Sequence, residues 1–508
     1  MVRSRARTRG GRSGGAVVTS LLDTGNAVPV PAAEVPALDV GLFRETVLAS
    51  VAQGRRLLLL SGLAQTAEGT QLLAALADDV NGRVGLLTTV VGSSYPSLTG
   101  ACPSAQLFER EIYEQWGVRP EDHPWLKPVR FPHGGRTAID EGEFFRVTGA
   151  EVHEVAVGPV HAGVIEPGHF RFNCHGERVL HLEIALGYQH RGVEAALLRS
   201  PHKRSIHLIE TLAGDTSVGH ATAYCQLVEA LAGTACFPRA RSLRVIALEL
   251  ERIANHIGDL GALAGDVGFL PAAAYCGRLR GDMLNMTAML CGSRLGRGLA
   301  RPGGVGVDGS DVLGDIQQRL FVAERDMRNA TDLLWKSSSV RARFENTGVL
   351  SQEAAADLGI VGPPARASGI DRDARRDFRG PTYDGQGPAI AIEEAGDVFA
   401  RAAVRWREIE NALTFLDRLL ADPGGGPALS HVGPLAPDRI VLSLVEGWRG
   451  EIVHLGLTDG MGRLAHYKVV DPSFRNWFGL AMALRGQAIS DFPLCNKSFN
   501  LSYCGHDL

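Results

Sequence analysis

Pro238-Arg-Ala-Arg-Ser-Leu-Arg-Val-Ile-Ala-Leu-Glu-Leu-Glu-Arg-Ile-Ala-Asn-His256 decides the architecture. Leu243, Ile246, Leu250, Ile253, Ile257 and Leu260 recur every three or four residues, the period of one helix face. Pro238 stands where the first turn of a helix has no need of an N–H. The spacing predicts a helix over 239–263, with Arg244, Glu251 and Arg252 on its other faces. The same period runs through 312–334 and 398–420. Several long amphipathic helices in succession imply a helical bundle as the main core.

Working outward, the pattern changes on the N-terminal side. The stretches 158–172 and 178–184 are short, extended and broken by Pro, Gly and the Cys174-His-Gly turn, which predicts a β-hairpin or small sheet. Earlier still, 57–63 and 84–92 are apolar runs that suit buried strands, and 69–79 between them reads as a helix. Residues 40–131 are therefore expected to form a small α+β domain, and 132–154, opening on a Gly-rich polar stretch, a linker. Residues 1–39 read as a disordered tail and linker, because Met1–Gly15 carries five arginines among glycine and serine. The remainder, 155–508, is a single large unit, and a Pro- and Gly-rich stretch at 421–434 leads into its mixed C-terminal segment. The fold class expected is α+β: a mainly helical core with a hairpin at its start, preceded by a small α+β domain.

The chain has 508 residues, 45% hydrophobic and 21% charged, which is the balance of a globular protein. Net charge is −4 and the isoelectric point about 6.5, so nothing in the overall charge points to nucleic acid. Apolar runs such as 57–60 fall far short of the roughly 20 residues that cross a bilayer. Membrane association is therefore expected only through partners. There are eight cysteines and no CxxC pair. With no apolar core of a secretory signal near the start, a reducing cytoplasm fits better than a disulfide framework.

Chemistry-bearing residues cluster in two regions. His161, His169, His175, His181 and His190 crowd the hairpin, but their spacing matches no zinc pattern. Structural histidines are the commoner outcome, and a metal or polar ligand is the alternative. Arg366-Ala-Ser-Gly369, followed by Asp371, Arg372, Asp373 and Arg375, is a dense polar loop that reads either as a solvated turn or as an anion-holding site. Glu446-Gly-Trp-Arg-Gly450 sets an arginine between glycines, where backbone can approach a ligand closely and the guanidinium can hold an anion or a polarised oxygen.

The run Gly158-Pro-Val-His161, Glu166-Pro-Gly-His-Phe-Arg171 and His190-Arg-Gly-Val-Glu194 resembles the opening of formate hydrogenlyase-type (group 4) [NiFe]-hydrogenase large subunits. It is also similar to the 49 kDa quinone-site subunit of respiratory complex I. The resemblance continues in order through His220-Ala-Thr-Ala-Tyr224, Glu249-Leu-Glu-Arg-Ile-Ala-Asn-His256, Arg366-Ala-Ser-Gly369, Glu446-Gly-Trp-Arg-Gly450, Leu484-Arg-Gly486 and Ser490-Asp-Phe-Pro-Leu494. Glu109-Arg-Glu-Ile-Tyr-Glu-Gln-Trp-Gly117 and His123-Pro-Trp-Leu126 resemble the 30 kDa complex I subunit, often fused ahead of such a large subunit.

The resemblance implies a peripheral subunit on the inner face of the cell membrane. It would be held there by an iron–sulfur small subunit carrying a 4Fe–4S cluster and by antiporter-like membrane subunits. Arg366, Arg449 and His220 would face a cavity beside that cluster, with a quinone as the implied ligand and an NADH- or hydrogen-linked reaction.

Two departures narrow this. The family holds nickel and iron with two CxxC pairs, because soft thiolates stabilise and bridge these ions. The matching positions here are Ala213, Thr216, Ser502 and Gly505, with Cys504 one residue out of register. No cofactor is therefore expected in this chain. In the complex I subunit a tyrosine in the loop before His220 and a hairpin histidine approach the quinone; the first aligns with Gly214, and His169 is the substitute for the second. Three readings stand in order: a redox-complex subunit passing electrons to a quinone-like acceptor without a NiFe centre, a non-catalytic structural or coupling subunit, and a nickel-dependent hydrogenase.

Overall fold

The computed structural model describes residues 21–130, 144–163, 165–198, 201–202, 204–383 and 387–508. In the first block, strands β1 (Leu22–Thr24), β4 (Arg56–Thr66), β5 (Gly69–Asp78) and β6 (Arg83–Val91) form an antiparallel sheet in the order β1-β6-β5-β4. The short β3 (Ala37–Leu38) adds parallel to β6, and helix α1 (Val40–Ala52) packs on the sheet. The expected helix at 69–79 is thus a strand. Its Leu72–Ala77 run is buried on both faces in mid-sheet, and a short apolar run covered on both sides carries no period by which a strand differs from a helix.

Residues 21–39, expected to be disordered, are ordered, whereas 1–20 lie outside the described residues. After β1 the chain crosses to a second sheet, in the large unit, where β2 (Val30–Pro31) pairs with Arg439–Ile440. The Asn26 side chain seals the crossing, donating to Leu444 O at 2.9 Å and accepting from Leu444 N at 2.8 Å. Of the expected linker, 132–143 lie outside the described residues, and β7 (Val152–Val157) already adds to the hairpin of β8 (His169–His175) and β9 (Arg178–Ala185).

The large unit is built on α3 (Ser217–Ala232), α4 (Pro238–Asp266), α5 (Leu270–Cys291), α6 (Leu313–Lys336) and α9 (Val398–Ala421), with two short helices, α7 (Pro363–Ala367) and α8 (Ala374–Asp377), before α9. The six residues of the quoted stripe on α4 are all fully buried, as the period requires. The charged residues on its other faces are buried too, because neighbours cover α4 on nearly every side. After α9 come β10 (Arg439–Gly447), β11 (Gly450–Thr458) and β12 (Leu464–Val470), then helix α10 (Pro472–Ala483).

The two blocks share a core. Leu57, Leu59, Leu72 and Leu76 belong to one apolar cluster with Ile440, Leu442, Val453 and Phe474. A buried ionic lock reinforces it: Arg56 donates from Nε to Asp79 at 2.9 Å and from Nη1 to Glu451 on β11 at 2.7 Å, and Arg372 closes on Asp79 at 2.6 Å. Removing one member of such a set leaves a carboxylate stranded away from water. Arg56→Ala should therefore lower the stability of the whole chain by about 3–5 kcal/mol, read from the midpoint of denaturant unfolding. A change below about 1 kcal/mol would show that the lock contributes no more than a surface pair.

Candidate functional site

Three segments converge at one place: the loop 213–216 that enters α3, the tight β10–β11 turn at 447–450, and the turn at 500–505. The β10–β11 turn pairs Gly447 with Gly450 and presents Trp448 and Arg449 at its tip. Gly450 (φ +137°) and Gly362 (φ +71°) let the two backbones touch here; a Cβ on Gly362 would lie 2.1 Å from Arg449 O.

Arg449 sits at the centre and is 6% exposed. Its guanidinium grips Asp215 from two nitrogens, Nη2 donating to Oδ2 at 2.8 Å. Nη1 also donates to Thr216 Oγ1 at 3.1 Å, and Nε donates to Asn500 O at 2.6 Å. The group lies 3.9 Å from the Trp448 ring centroid, a cation–π contact that fixes its plane. The Asp215 backbone carbonyl accepts from Trp448 Nε1 and Asn255 Nδ2, each at 3.0 Å. Burial alone would raise the Asp215 carboxyl, but Arg449 more than offsets it and holds the group below its ordinary range.

Glu166 reaches this site from the exposed hairpin loop. Partial burial raises its carboxyl above the ordinary value, while a hydrogen bond from Cys504 and the charge of Arg449 pull it down. Cys504 lies 3.3 Å from Ser502 Oγ, and burial pushes its thiol up. Glu251 is buried beneath the loop, accepting from Val218 N at 2.8 Å and Gly219 N at 3.2 Å, and burial pushes its carboxyl up to about 8.

His220 is fully buried behind this layer. Its Nε2 lies 3.0 Å from Asp471 Oδ2, its Nδ1 3.1 Å from His454 Nε2, and His454 Nδ1 lies 2.7 Å from Tyr467 Oη. Burial pushes His454 well below its ordinary range, so it stays neutral, and His220 beside it adds to this. Asp471 stays ionised: burial works against it, but His220 holds its carboxyl below the ordinary range. With Asp471 ionised, it accepts from His220 Nε2–H, and His220, His454 and Tyr467 continue the buried hydrogen-bonded chain behind it.

The structure thus brings together Thr216, Ser502, Gly505, Ala213 and Arg449, with His220 just behind them. Two residues expected to face a cavity do not join them. Arg366 is not in a solvated turn: it is fully buried and spent on Glu408 (2.7 Å) and Glu446 (2.8 Å). Four residues of the polar loop, Arg366, Ser368, Asp373 and Arg375, are buried with their partners, so the loop serves the interior and not a surface ligand. His169 stands on β8 with Nδ1 3.2 Å from Gly158 O and its ring 5.1 Å from that of Phe144.

Sequence reasoning missed Asp215, Glu166, Asp471, His454 and Tyr467. Asp215 lay inside the loop already singled out, between Gly214 and Thr216, and its charge beside Arg449 was the available signal. His454 and Tyr467 meet only through the β11–β12 register, which no short motif encodes.

The chain is similar to known proteins in sequence and in fold. Residues 266–432 match the family described as the respiratory-chain NADH dehydrogenase 49 Kd subunit, and residues 49–137 match its 30 Kd subunit. The chain is 31% identical over 435 residues to formate hydrogenlyase subunit 5 of Escherichia coli, covering 80% of this chain and 76% of that one. It is 31% identical over 354 residues to the carbon monoxide-induced hydrogenase of Rhodospirillum rubrum, covering 68% of this chain and 97% of that one. The fold is shared, at a TM-score of 0.65 and 23% identity, with a chain of the membrane-bound sulfane sulfur reductase, an archaeal respiratory membrane complex; the match covers 70% of this chain and 99% of that one.

These likenesses define a subunit of a complex I-related hydrogenase or oxidoreductase complex. The chain belongs to the large-subunit family of formate hydrogenlyase-type hydrogenases and the respiratory 49 Kd subunit, with a 30 Kd-like domain ahead of it. No helix among the described residues is long and apolar enough to cross a membrane.

A Cβ on Gly505 would lie 2.7 Å from Asp471 Cγ and within 2.9 Å of both its carboxylate oxygens. Gly505→Ala should therefore push Asp471 off His220 and destabilise the chain by about 1–3 kcal/mol, measured by denaturant unfolding. An unchanged midpoint would mean that the carboxylate swings aside freely.

Proposed function

We propose that this chain is the large subunit of a membrane-associated oxidoreductase in which the Arg449–Asp215 pair stands where relatives hold metal. In this reading it hands electrons from a partner's iron–sulfur cluster to a quinone-like acceptor. The observation that carries the reading is the Arg449 guanidinium, fixed between the 213–216 loop and the 500–505 turn. The residues present do not fit a nickel–iron pair. The four ligand positions offer a methyl, two hydroxyls and a hydrogen in place of thiolates, and the Asp471 carboxylate leaves no room for a cysteine Cβ at 505.

Arg449 is suited to a different task. Its fixed positive charge, flattened on Trp448, favours the negative charge that builds on an acceptor oxygen during reduction. Glu166, on the rim with a raised carboxyl, is placed to give that oxygen a proton. Membrane attachment would come through an iron–sulfur small subunit and antiporter-like subunits, since no helix among the described residues is long and apolar enough to cross a membrane. One observation favours a structural or coupling role instead: Arg366, at a cavity position of the family pattern, is wholly committed to buried carboxylates.

The test is purification of the intact complex, with nickel analysis and turnover assays using quinone, formate and hydrogen. Nickel well below one per chain and quinone turnover reduced about 10²-fold or more by Arg449→Ala, with assembly intact, are expected. Turnover unchanged by Arg449→Ala would favour the structural role, and stoichiometric nickel on this chain would overturn both readings.

A further inference from the structure

Behind the Arg449 turn lies a closed set of buried charges. It comprises Glu249, Arg252 and His256 on α4, Arg366 on α7, Asp373 and Arg375 at α8, Glu408 on α9 and Glu446 on β10, each at most 3% exposed. Among the described residues, the charged neighbours of the set have partners of their own. Tyr383 donates its hydroxyl to Glu249, Arg405 is taken by Asp259 at 2.8 Å, and Arg372 offers only its backbone carbonyl because its guanidinium holds Asp79. Glu451, opposite Glu446 across the β10–β11 ladder, is held by Arg56, and Glu251 beside Arg252 accepts from Val218 N and Gly219 N. Four carboxylates thus face three guanidiniums, and one negative charge has no fixed partner. A bare charge at such depth is far costlier than a bound proton.

The geometry selects the proton's place. Glu408 is met by Arg366 at 2.7 Å, His256 at 2.8 Å and Arg252 at 3.5 Å. Asp373 is clasped by Arg375 at 2.6 and 2.9 Å, with Arg366 at 3.2 Å. Glu249 has Arg252 at 3.1 Å, Arg375 at 3.5 Å and the Tyr383 hydroxyl. Glu446 has a single guanidinium nitrogen, Arg366 Nη1 at 2.8 Å, besides Ala374 N at 3.1 Å.

We infer that Glu446 holds one exchangeable proton for the whole cluster, forming a proton store wired to the Arg449 site. The electrostatics point the same way. Burial and the neighbouring Asp373 push Glu446 up to about 7. Burial works against ionisation of Asp373, yet Arg375 and Arg366 hold it down at about 2, and Arg366 and His256 likewise hold Glu408 well below its ordinary range. His256 is the poorer carrier: a proton on each ring nitrogen would leave its buried Nδ1–H facing no acceptor, and burial lowers the group as well.

The wiring is short. Glu446 and Arg449 are three residues apart on one hairpin. Trp448 lies between the two regions, 3.9 Å from the Arg449 guanidinium and 6.2 Å from the His256 ring centroid. Arg252 donates to the carbonyls of both Glu446 and Gly447. A change of charge at Arg449 therefore alters the affinity of Glu446 for its proton. The proton follows from charge balance alone, whereas its use in turnover rests on the reading of the Arg449 site given above.

Infrared spectroscopy of the purified complex, with glutamate carboxyls ¹³C-labelled, tests the inference. The difference between wild type and Glu446→Gln should show a protonated glutamic acid carbonyl band at pH 6 that is lost by pH 9, with a midpoint near 7. Should Glu446→Gln fail to assemble, the same titration in Glu251→Gln, which removes the other raised carboxyl, should retain a band with that midpoint.

Thermal unfolding gives a second readout. A carboxyl raised from 4.5 to about 7 makes the wild type lose stability as pH climbs between those values, and Glu446→Gln should remove that part of the slope. No band at pH 6, or a band and slope unaffected by Glu446→Gln, would overturn the store. Arg449→Gln should raise the midpoint; an unmoved midpoint would overturn the wiring while leaving the proton in place.

Discussion

Compensation of guanidinium groups in a dry interior is the constraint on which this structure depends. Arg56, Arg252, Arg366, Arg401, Arg405 and Arg449 are all buried, and each reaches carboxylates or carbonyls from another segment of the chain. A buried guanidinium tolerates no missing partner, so each pairing fixes the relative placement of two segments that packing alone would leave looser. The ion pairs do in the polar interior what the leucine and isoleucine stripe of α4 does in the apolar one. They also explain why polar loops that looked solvated lie at the centre of the molecule.

Legibility from the sequence followed the reach of each signal. The α4 stripe was plain because its period repeats over about five turns and answers to local geometry. The β5 strand was misread because Leu72–Ala77 is apolar on both faces, which erases the alternation that marks a strand. The crossing strand at Val30–Pro31 was invisible: two residues pair with β10 some four hundred positions away, and nothing nearby announces it. At the site, the glycines around Arg449 mark a close approach of two backbones, at Gly450 and Gly362. Arg366 misled because a family motif records a position, not whether the side chain points to a ligand or to Glu408. His454 and Tyr467 depended on strand register, and register depends on the whole sheet.

The same contrast separates the two parts of the site. The outer layer, with Asp215, Thr216, Glu166 and Cys504, is made of short loops that sequence change can remodel. The inner layer, from Asp471 through His220 and His454 to Tyr467, is a buried hydrogen-bonded chain. Remodelling of the outer layer can proceed while the inner layer preserves the scaffold.

The strand β10 begins where Val30–Pro31 clamp it and ends at the turn that carries Arg449. Nine residues of one strand, all but Arg439 buried, thus separate the contact with the N-terminal segment from the Arg449 turn. The segment ahead of the 30 Kd-like domain is thereby stitched into the same sheet that ends at the guanidinium, so Val30–Pro31 and the site share one ladder of hydrogen bonds.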